Sequence, residues 1–281
     1  MSFSLSAENR QTGRGDSSQS PGVEAVISRI IFYPMFPSIR LYPLDFRREE
    51  KRFKGALALV SDDRAFSANE LAGEILGPSE AAYFATLRFA PRQRSYLLGR
   101  YAAKLCLSNL LPELNLRAIE ITRGVFEQPL VQVRVNSGFG VTISHTGSLA
   151  GALAYAVGHP IGIDIEIIDP ARYQTILTQL SEPEKRLIET SQTNQHQIAT
   201  ALWAAKEALS KVLTTGLMSP IQIYNLAEFR RLDSGTWEGL FESFAQYKAM
   251  VSIGSSYAFA IVLPKRSVLC LPDDLGQVLS Q

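Results

Sequence analysis

One alternating segment, Ile161 to Ile168, carries two acids at the spacing of a single strand face. Side chains alternate along a β-strand, so the isoleucines would bury one face while Asp164 and Glu166 share the other. Two residues of strand span about 6.6 Å, so both carboxylates could reach one cation. Carboxylates together with a substrate phosphate are the usual surroundings of Mg²⁺ in proteins. The alternative is a solvated acidic edge strand, but such strands usually carry Lys, Thr or Ser as well, so the pattern favours a metal site.

A second segment, Trp203 to Lys211, has the sequence W-A-A-K-E-A-L-S-K. On an α-helix Trp203, Glu207 and Lys211 follow one another at four-residue spacing and share a face. The alternative is an amphipathic helix with an ordinary Glu–Lys pair. However, residues 102–111 match residues 204–213 at six of ten positions, and Leu105 stands where the second copy has Glu207. Because an acid stands where the other copy has an apolar residue, we favour a functional Glu207.

Two further segments could bind phosphate. Residues 142–147, T-I-S-H-T-G, end a predicted strand with several hydrogen-bond donors at Ser144 and His145. For the histidine, a structural role and a phosphate-binding role are equally supported. Arg94 and Arg100 bracket an apolar stretch of a predicted helix, and the arginine fork suits phosphate oxygens. A solvated helix face is the alternative for the arginines.

Turn and periodicity patterns indicate which elements position these residues. We expect strands at 38–46, 55–61, 118–122, 130–135, 141–144, 149–157 and 161–168, further strands over 237–263, and a solvated loop at 47–54. We expect helices over 92–111 and 198–213, and helix starts at Ser79, as an N-cap, and at Ser181.

The repeat supports a duplicated architecture. Keeping the offset of 102, Ser79-Glu80 falls on Ser181-Glu182, and the strand ending at Ser61 falls on the acidic strand. We therefore predict an α+β fold of two pseudo-duplicated α/β halves packed around a central cleft. The predicted divisions are a poorly ordered leader at 1–37, a first half at 38–157, and a second half at 158–281 that carries the metal site. A duplicated protein usually binds its ligand in the cleft between the halves.

Composition narrows the function classes. The chain has 281 residues, and 28 basic side chains balance 27 acidic ones, which gives no reason to expect nucleic acid as a partner. The two cysteines and three histidines lack metal-ligand spacing. No apolar run could span a membrane, and the first 22 residues lack the apolar region of a secretion signal, so we expect a cytoplasmic protein. Walker A, G-x-G-x-x-G and G-x-S-x-G motifs are absent.

Taken in order, the four segments resemble the surfactin-type (Sfp-type) family of 4′-phosphopantetheinyl transferases. The matching stretches are R-S-Y-L-L-G-R at 94–100, S-H-T-G at 144–147, G-I-D-I-E at 162–166 and W-A-A-K-E-A-L-S-K at 203–211. The resemblance covers roughly residues 38–263 and agrees with a fold of two similar halves. It implies an enzyme of the holo-[acyl-carrier-protein] synthase type, which moves the phosphopantetheine arm of coenzyme A to a serine of an apo-carrier protein.

The resemblance also implies roles for the site residues. Asp164, Glu166 and Glu207 would hold Mg²⁺, and Lys211 would neutralise phosphate charge or assist proton transfer. The base that deprotonates the carrier serine would be Glu207 or a water on the metal. The residues implied in binding coenzyme A are Arg94, Arg100, Ser144 and His145.

One departure and two rival functions accompany the resemblance. The family often has G-x-x-K-P before the S-H segment, whereas Gln128 stands here in place of the lysine. One rival is another Mg²⁺-dependent transferase or hydrolase that cleaves a diphosphate. The other is a non-catalytic scaffold that binds carrier domains. The pathway of the carrier (fatty acid, polyketide or non-ribosomal peptide) stays open, and two fused halves favour a monomer.

Overall fold

The computed structural model describes residues 37–63, 66–134 and 137–281, together with the backbone of residues 29–31. The leader predicted at 1–37 lies almost wholly outside the described residues. The strands are β1 (Arg29–Ile31), β2 (Ser38–Arg48), β3 (Lys51–Ser61), β4 (Glu120–Arg123), β5 (Pro129–Gln132), β6 (Phe139–Thr146), β7 (Leu149–Ala156), β8 (Gly162–Ile167), β9 (Leu226–Arg231), β10 (Trp237–Phe241), β11 (Tyr247–Ile253) and β12 (Tyr257–Pro264). The α-helices are α1 (Ala68–Ile75), α2 (Pro78–Thr86), α3 (Ala90–Leu110), α4 (Tyr173–Leu177), α5 (Glu182–Thr190), α6 (Gln195–Val212) and α7 (Leu275–Val278).

Two antiparallel sheets form the centre of the described structure. The first has the strand order β1-β2-β3-β7-β6, and the second has the order β8-β12-β11-β10-β9. Strands β4 and β5 pair as a separate hairpin whose second strand lies near β6. The long helix α3 packs on β3 and β7, as α6 packs on β8 and β12. The α+β prediction is confirmed. In both sheets a long helix packs on two paired strands.

Alternation along the strands divides the core into three parts. Residues such as Ala56 and Ala58 of β3 pack beneath α3, while Leu57 and Leu59 of the same strand point the other way. The central cluster joins these side chains to Ile163 of β8 and to the C-terminal segment, so it lies between the two sheets. A third cluster fills the space between the second sheet and α4–α6. The division of the chain at residues 157/158 stays a prediction.

Two local predictions are wrong. Residues 47–54 are not a solvated loop, because β2 and β3 continue through most of this stretch and turn at Glu49-Glu50, where Glu49 has φ 55°. Charged side chains can project to water from a hairpin as well as from a loop. Ser79 is not the N-cap of α2, which is Gly77. The backbone N–H of Ser79 donates to Glu120 instead.

The actual cap of α2 contains a buried charge. The carboxylate of Glu80 accepts hydrogen bonds from the backbone N–H groups of Gly77 and Ile121, at 3.1 Å each. Lys104 of α3, which is fully buried, forms an ion pair with the same carboxylate. A single side chain therefore ties a helix start, a strand and the long helix together.

The second half repeats this arrangement. Glu184 accepts from the N–H groups of Ser181 at 2.8 Å and Leu226 at 3.0 Å, and it pairs with buried Lys206 at 2.7 Å. Glu80 thus corresponds to Glu184 and not, as the constant offset of 102 indicated, to Glu182. The chain between the cap and the long helix differs in length by two residues between the copies, so the offset of 102 does not extend from the long helices back to the caps.

We expect Leu105→Ala to destabilise the protein without removing the site. Leu105 of α3 is buried in the first core cluster, and truncating a buried leucine costs roughly 2–5 kcal/mol of unfolding free energy. Urea unfolding would measure the loss, with Asn109→Ala on the exposed side of the same helix as control. Unchanged stability would contradict a packing role for Leu105.

Among the described residues, no helix is both long and apolar enough to cross a membrane.

Candidate active site

Strand β8 carries its two acids beneath helix α6. Ile163 and Ile165 point into the core between the sheets, and Asp164 and Glu166 point the other way, yet they are only 2% and 8% exposed. Helix α6 covers them closely, because a Cβ on Gly162 would lie 2.1 Å from the carbonyl oxygen of Ala208. The acidic face is therefore a buried face, not a solvated one.

Opposite these acids, the neighbouring strand supplies small side chains. Ala260 of β12 pairs with Asp164, and Ala258 pairs with Glu166. Paired residues in a sheet place their side chains on the same face. The alanines therefore leave room between strand and helix for the carboxylates and whatever they bind.

Helix α6 adds a third acid to the pair on β8. One carboxylate oxygen from each of Asp164, Glu166 and Glu207 lies within 4.8 Å of the other two. Burial, followed by the charge of Asp164, raises the pKa of Glu207 to about 8. Burial also raises the pKa of Asp164, against the opposing effect of Lys211. Three carboxylates so close together disfavour their own ionisation unless a cation joins them.

The two oxygens of Asp164 have different surroundings. Oδ1 accepts hydrogen bonds from the Ser144 hydroxyl and the Lys211 ammonium, each at 2.7 Å. Oδ2 is buried and has no hydrogen-bond partner among the described residues. A buried carboxylate oxygen without a donor is costly unless an unseen water or ion satisfies it. This oxygen, together with the all-oxygen donor set, fits a hard divalent cation.

Glu166 is held by two donors. The indole N–H of Trp203 donates to Oε1 at 3.1 Å, and a guanidinium N–H of Arg172 donates to Oε2. Arg172 belongs to none of the four motifs found in the sequence. Its one sequence signal is a basic residue six positions after Glu166, and such residues are common on protein surfaces.

The S-H segment of β6 meets β8 directly. Besides donating to Asp164, Ser144 accepts the backbone N–H of Ile165 at 3.1 Å. Nε2 of His145 lies 3.0 Å from the hydroxyl of Ser95. Desolvation of the ring, together with nearby Arg92, lowers the pKa of His145. Ser144 thus positions the carboxylate of Asp164, while its predicted contact and that of His145 with coenzyme A stay predictions.

The two predicted arginines have partners of their own. Arg94 binds both carboxylate oxygens of Asp62, and Arg100 lies 3.4 Å from Glu80 with only 11% of its side chain exposed. The described contacts of these arginines do not include the three acids. Their roles in binding coenzyme A also stay predictions.

A cleft of about 510 Å³ opens beside the site. Its walls are the β4–β5 hairpin, the start of β6 and the residues that follow α6, and Lys211 lines it as well. Gln128 lies in this wall, where its side-chain oxygen accepts the backbone N–H of Phe126 at 2.9 Å. Apolar side chains such as Leu130 and Val157 also line the cleft. The cleft thus has an apolar wall and also reaches the ammonium group of Lys211, which contacts Asp164 of the acidic site.

Residues 160–262 match the sequence model of the 4′-phosphopantetheinyl transferase superfamily. The matched segment contains Asp164, Glu166, Glu207 and Lys211, and it confirms the resemblance at the level of the superfamily. No curated protein matches the chain. Among solved structures, the crystal structure of Thermotoga maritima holo-[acyl-carrier-protein] synthase is similar at 20% identity and a TM-score of 0.31, covering 48% of this chain and 89% of that one.

Proposed function

We propose that the protein transfers the 4′-phosphopantetheine arm of coenzyme A to a serine of an apo-carrier protein, as Sfp-type enzymes do. The products would be the holo-carrier and 3′,5′-ADP. The observation that carries this proposal is the triad of Asp164, Glu166 and Glu207, with its unpartnered buried oxygen, inside the segment that matches the superfamily. The superfamily match supports phosphopantetheinyl transfer as the general class of activity.

The triad would hold Mg²⁺, and its oxygen ligands suit that ion. When bound, the ion would neutralise charge on the diphosphate of coenzyme A and on the departing phosphate. Ser144 keeps Asp164 in place through its hydrogen bond to Oδ1. The opposite oxygen of that carboxylate is thereby left free for a ligand.

Lys211 and Glu207 would act on the reacting groups. Lys211 contacts Asp164 but keeps 27% of its side chain exposed, and it lines the cleft, so its ammonium is available to phosphate oxygens. Glu207 forms no side-chain hydrogen bond among the described residues and would take the proton of the carrier serine. The serine oxygen would then form a bond to phosphorus as the bond to the 3′,5′-ADP oxygen breaks.

The adenosine and phosphate parts of coenzyme A require contacts beyond the triad. His145 follows Ser144 on β6, and its neutral ring next to Ser95 would bind a phosphate oxygen through a donated N–H. Arg94 and Arg100 are the remaining candidates, and each would first have to share or leave its present carboxylate.

Mass spectrometry of apo-carriers incubated with coenzyme A and Mg²⁺ tests this function. A panel of fatty-acid, polyketide and peptide-synthetase carriers should show addition of one phosphopantetheine to at least one member. The Asp164→Asn variant should give none under the same conditions. If coenzyme A is cleaved without a carrier, a hydrolase replaces this proposal. Carrier binding without any mass shift would instead identify a scaffold.

We expect Gln128→Lys to tighten the binding of coenzyme A. Gln128 and Lys211 line the same cleft, so a lysine at 128 would add a second positive charge near the phosphates. The gain should be about threefold to tenfold at low salt and smaller at high salt, because salt screens exposed charges.

Titration calorimetry at two ionic strengths measures this effect. Gln246→Lys is the matched control, because it adds the same charge at an exposed position outside the walls of the cleft. Equal affinities for the wild type and the Gln128→Lys variant at both salt concentrations would show that the hairpin does not reach the ligand.

A further inference from the structure

We propose that Arg172 competes with the divalent cation for Glu166 and so limits how tightly the site binds Mg²⁺. The inference rests on the proposed function, because it takes the triad to be a metal site. Arg172 would be a positioning residue, since it acts on a metal ligand and not on the substrate.

The three carboxylates differ in their hydrogen-bond partners. The buried oxygen Oδ2 of Asp164 has no donor, and Glu207 forms no side-chain hydrogen bond among the described residues. Glu166 has both oxygens engaged, by Trp203 on Oε1 and by Arg172 on Oε2. A cation entering the triad would therefore find an oxygen without a hydrogen bond on Asp164 and on Glu207, whereas both oxygens of Glu166 are engaged.

The two donors of Glu166 differ in what they oppose. The indole of Trp203 is neutral, and its single N–H leaves the charge of the carboxylate available to a cation. The guanidinium of Arg172 brings a full positive charge to the same carboxylate, and like charges repel strongly where water is scarce. Of the two, only the arginine would resist the arrival of Mg²⁺ electrostatically.

The position of Arg172 allows its side chain to move away from Glu166. Arg172 ends a short 3₁₀ turn, Pro170–Arg172. Asp169 caps the start of this turn, where its side chain accepts the N–H of Ala171 at 2.9 Å. The arginine side chain is 39% exposed, whereas that of Glu166 is 10% exposed. The guanidinium can therefore move into water without unpacking the core, while the carboxylate stays fixed on β8.

Lys211 is a useful contrast. It is the other cation in contact with the triad, and it binds Oδ1 of Asp164 while leaving Oδ2 without a partner. Its position is thus compatible with a metal on the opposite oxygen. We infer that removing the positive charge of Arg172 leaves the triad more negative and its third ligand free.

Calorimetric titration with Mg²⁺ alone, without coenzyme A or carrier, tests the inference. Arg172→Gln should bind Mg²⁺ about tenfold more tightly than the wild type, because the variant removes a positive charge that opposes the ion at the shared carboxylate. Arg172→Lys keeps the charge and should stay near the wild-type affinity. Arg231→Gln is the matched control, because it removes one exposed arginine from β9, away from the triad.

Tryptophan fluorescence gives a second readout. The chain has two tryptophans, so Trp237→Phe leaves Trp203, bonded to Glu166, as the sole indole reporter. In that background, Arg172→Gln should move the Mg²⁺ midpoint of the Trp203 signal to lower concentration by the same factor. Melting curves would verify that the variants are folded.

Unchanged or weaker Mg²⁺ binding by folded Arg172→Gln would overturn the inference, because the arginine would then be neutral toward the metal or would help to orient Glu166. A wild-type protein that binds no Mg²⁺ would overturn it as well. The carrier assay decides the proposed function independently, since an altered metal affinity and an absent phosphopantetheine transfer are measured separately.

Discussion

Glu207→Gln is expected to abolish most phosphopantetheine transfer while leaving the fold intact or slightly more stable. The substitution removes the proposed metal ligand and the proposed base together. General acid–base catalysis by one residue is worth about 10²–10⁴-fold in rate, and we expect a loss at least at the upper end of that range. The side chain keeps its size, so packing beneath α6 should not change.

The stability effect follows from the raised pKa. Burial and the neighbouring Asp164 raise the pKa of Glu207 to about 8, so ionisation is harder in the folded protein than in the unfolded chain. An acid with a raised folded pKa makes the native state less stable as pH rises past its unfolded pKa. Without metal, the wild type should therefore lose stability between about pH 5 and pH 8. Glu207→Gln should lose less over that interval.

Initial rates with an apo-carrier, and melting curves in EDTA across that pH interval, would measure the two effects. Glu189→Gln, at an exposed position of α5, is the control for charge removal. Near-normal turnover by Glu207→Gln would show that this acid is neither ligand nor base. A variant that unfolds and keeps its rate per folded molecule would assign it a structural role.

The centre of the site could be predicted because it depends on local patterns. The alternation of residues along β8 predicted that Asp164 and Glu166 share one face of the strand. The four-residue spacing predicted that Glu207 and Lys211 share one face of the helix. How closely the strand and the helix pack depends on Gly162 of β8, which lets α6 approach the strand, and this closeness does not follow from either pattern. The two patterns indicated that the acids belong together, but not that they are buried.

The partners of the charged side chains could not be predicted, because they depend on contacts between distant elements. Arg94 is paired with Asp62, 32 residues earlier in the chain. Arg172 is close to Glu166 in sequence, but the chain must turn back after β8 for the two to meet. Arginine spacing alone does not distinguish a phosphate ligand from half of an ion pair.

The sequence repeat aligns the two copies correctly along their long helices, but it misaligns the residues that cap the preceding helices. The long helices match residue by residue, whereas the capping acids Glu80 and Glu184 are related by an offset of 104. In this region the two copies share a three-way contact between the helix cap, a strand and a buried lysine. The capping acids that make this contact are displaced by two residues from the positions that the sequence alignment pairs. Contacts of this kind are visible only once the elements are packed.

Those buried lysines carry the second large prediction. Lys206→Met should destabilise the protein by roughly 3–5 kcal/mol, because it leaves the charge of Glu184 buried without its partner. Both side chains of the pair are fully buried, and Nζ of Lys206 lies 2.7 Å from Oε2 of Glu184. The ammonium also donates to Asn225 at 2.9 Å and to the carbonyl of Gln179 at 3.1 Å, so three acceptors lose their donor at once.

Lys104→Met, the corresponding change in the first half, should cost clearly less. Glu80 has a second cation nearby, since Arg100 lies 3.4 Å from it with little exposure to solvent. The residue that matches Arg100 at the offset of 102 is Leu202, which is buried and uncharged. After loss of the lysine, Glu80 therefore keeps a positive neighbour in Arg100, whereas Glu184 has no other ion-pair partner among the described residues.

Urea unfolding of the two variants, followed by circular dichroism, would measure the difference. The double variant Lys206→Met/Glu184→Gln should recover part of the loss, because it removes the unpaired charge along with its partner. Arg100→Gln combined with Lys104→Met should cost more than the two single losses added together. If Lys104→Met proves as destabilising as Lys206→Met, or the Arg100→Gln and Lys104→Met effects simply add, Arg100 does not compensate Glu80, and the arginine is then free for the phosphate-binding role predicted from the sequence.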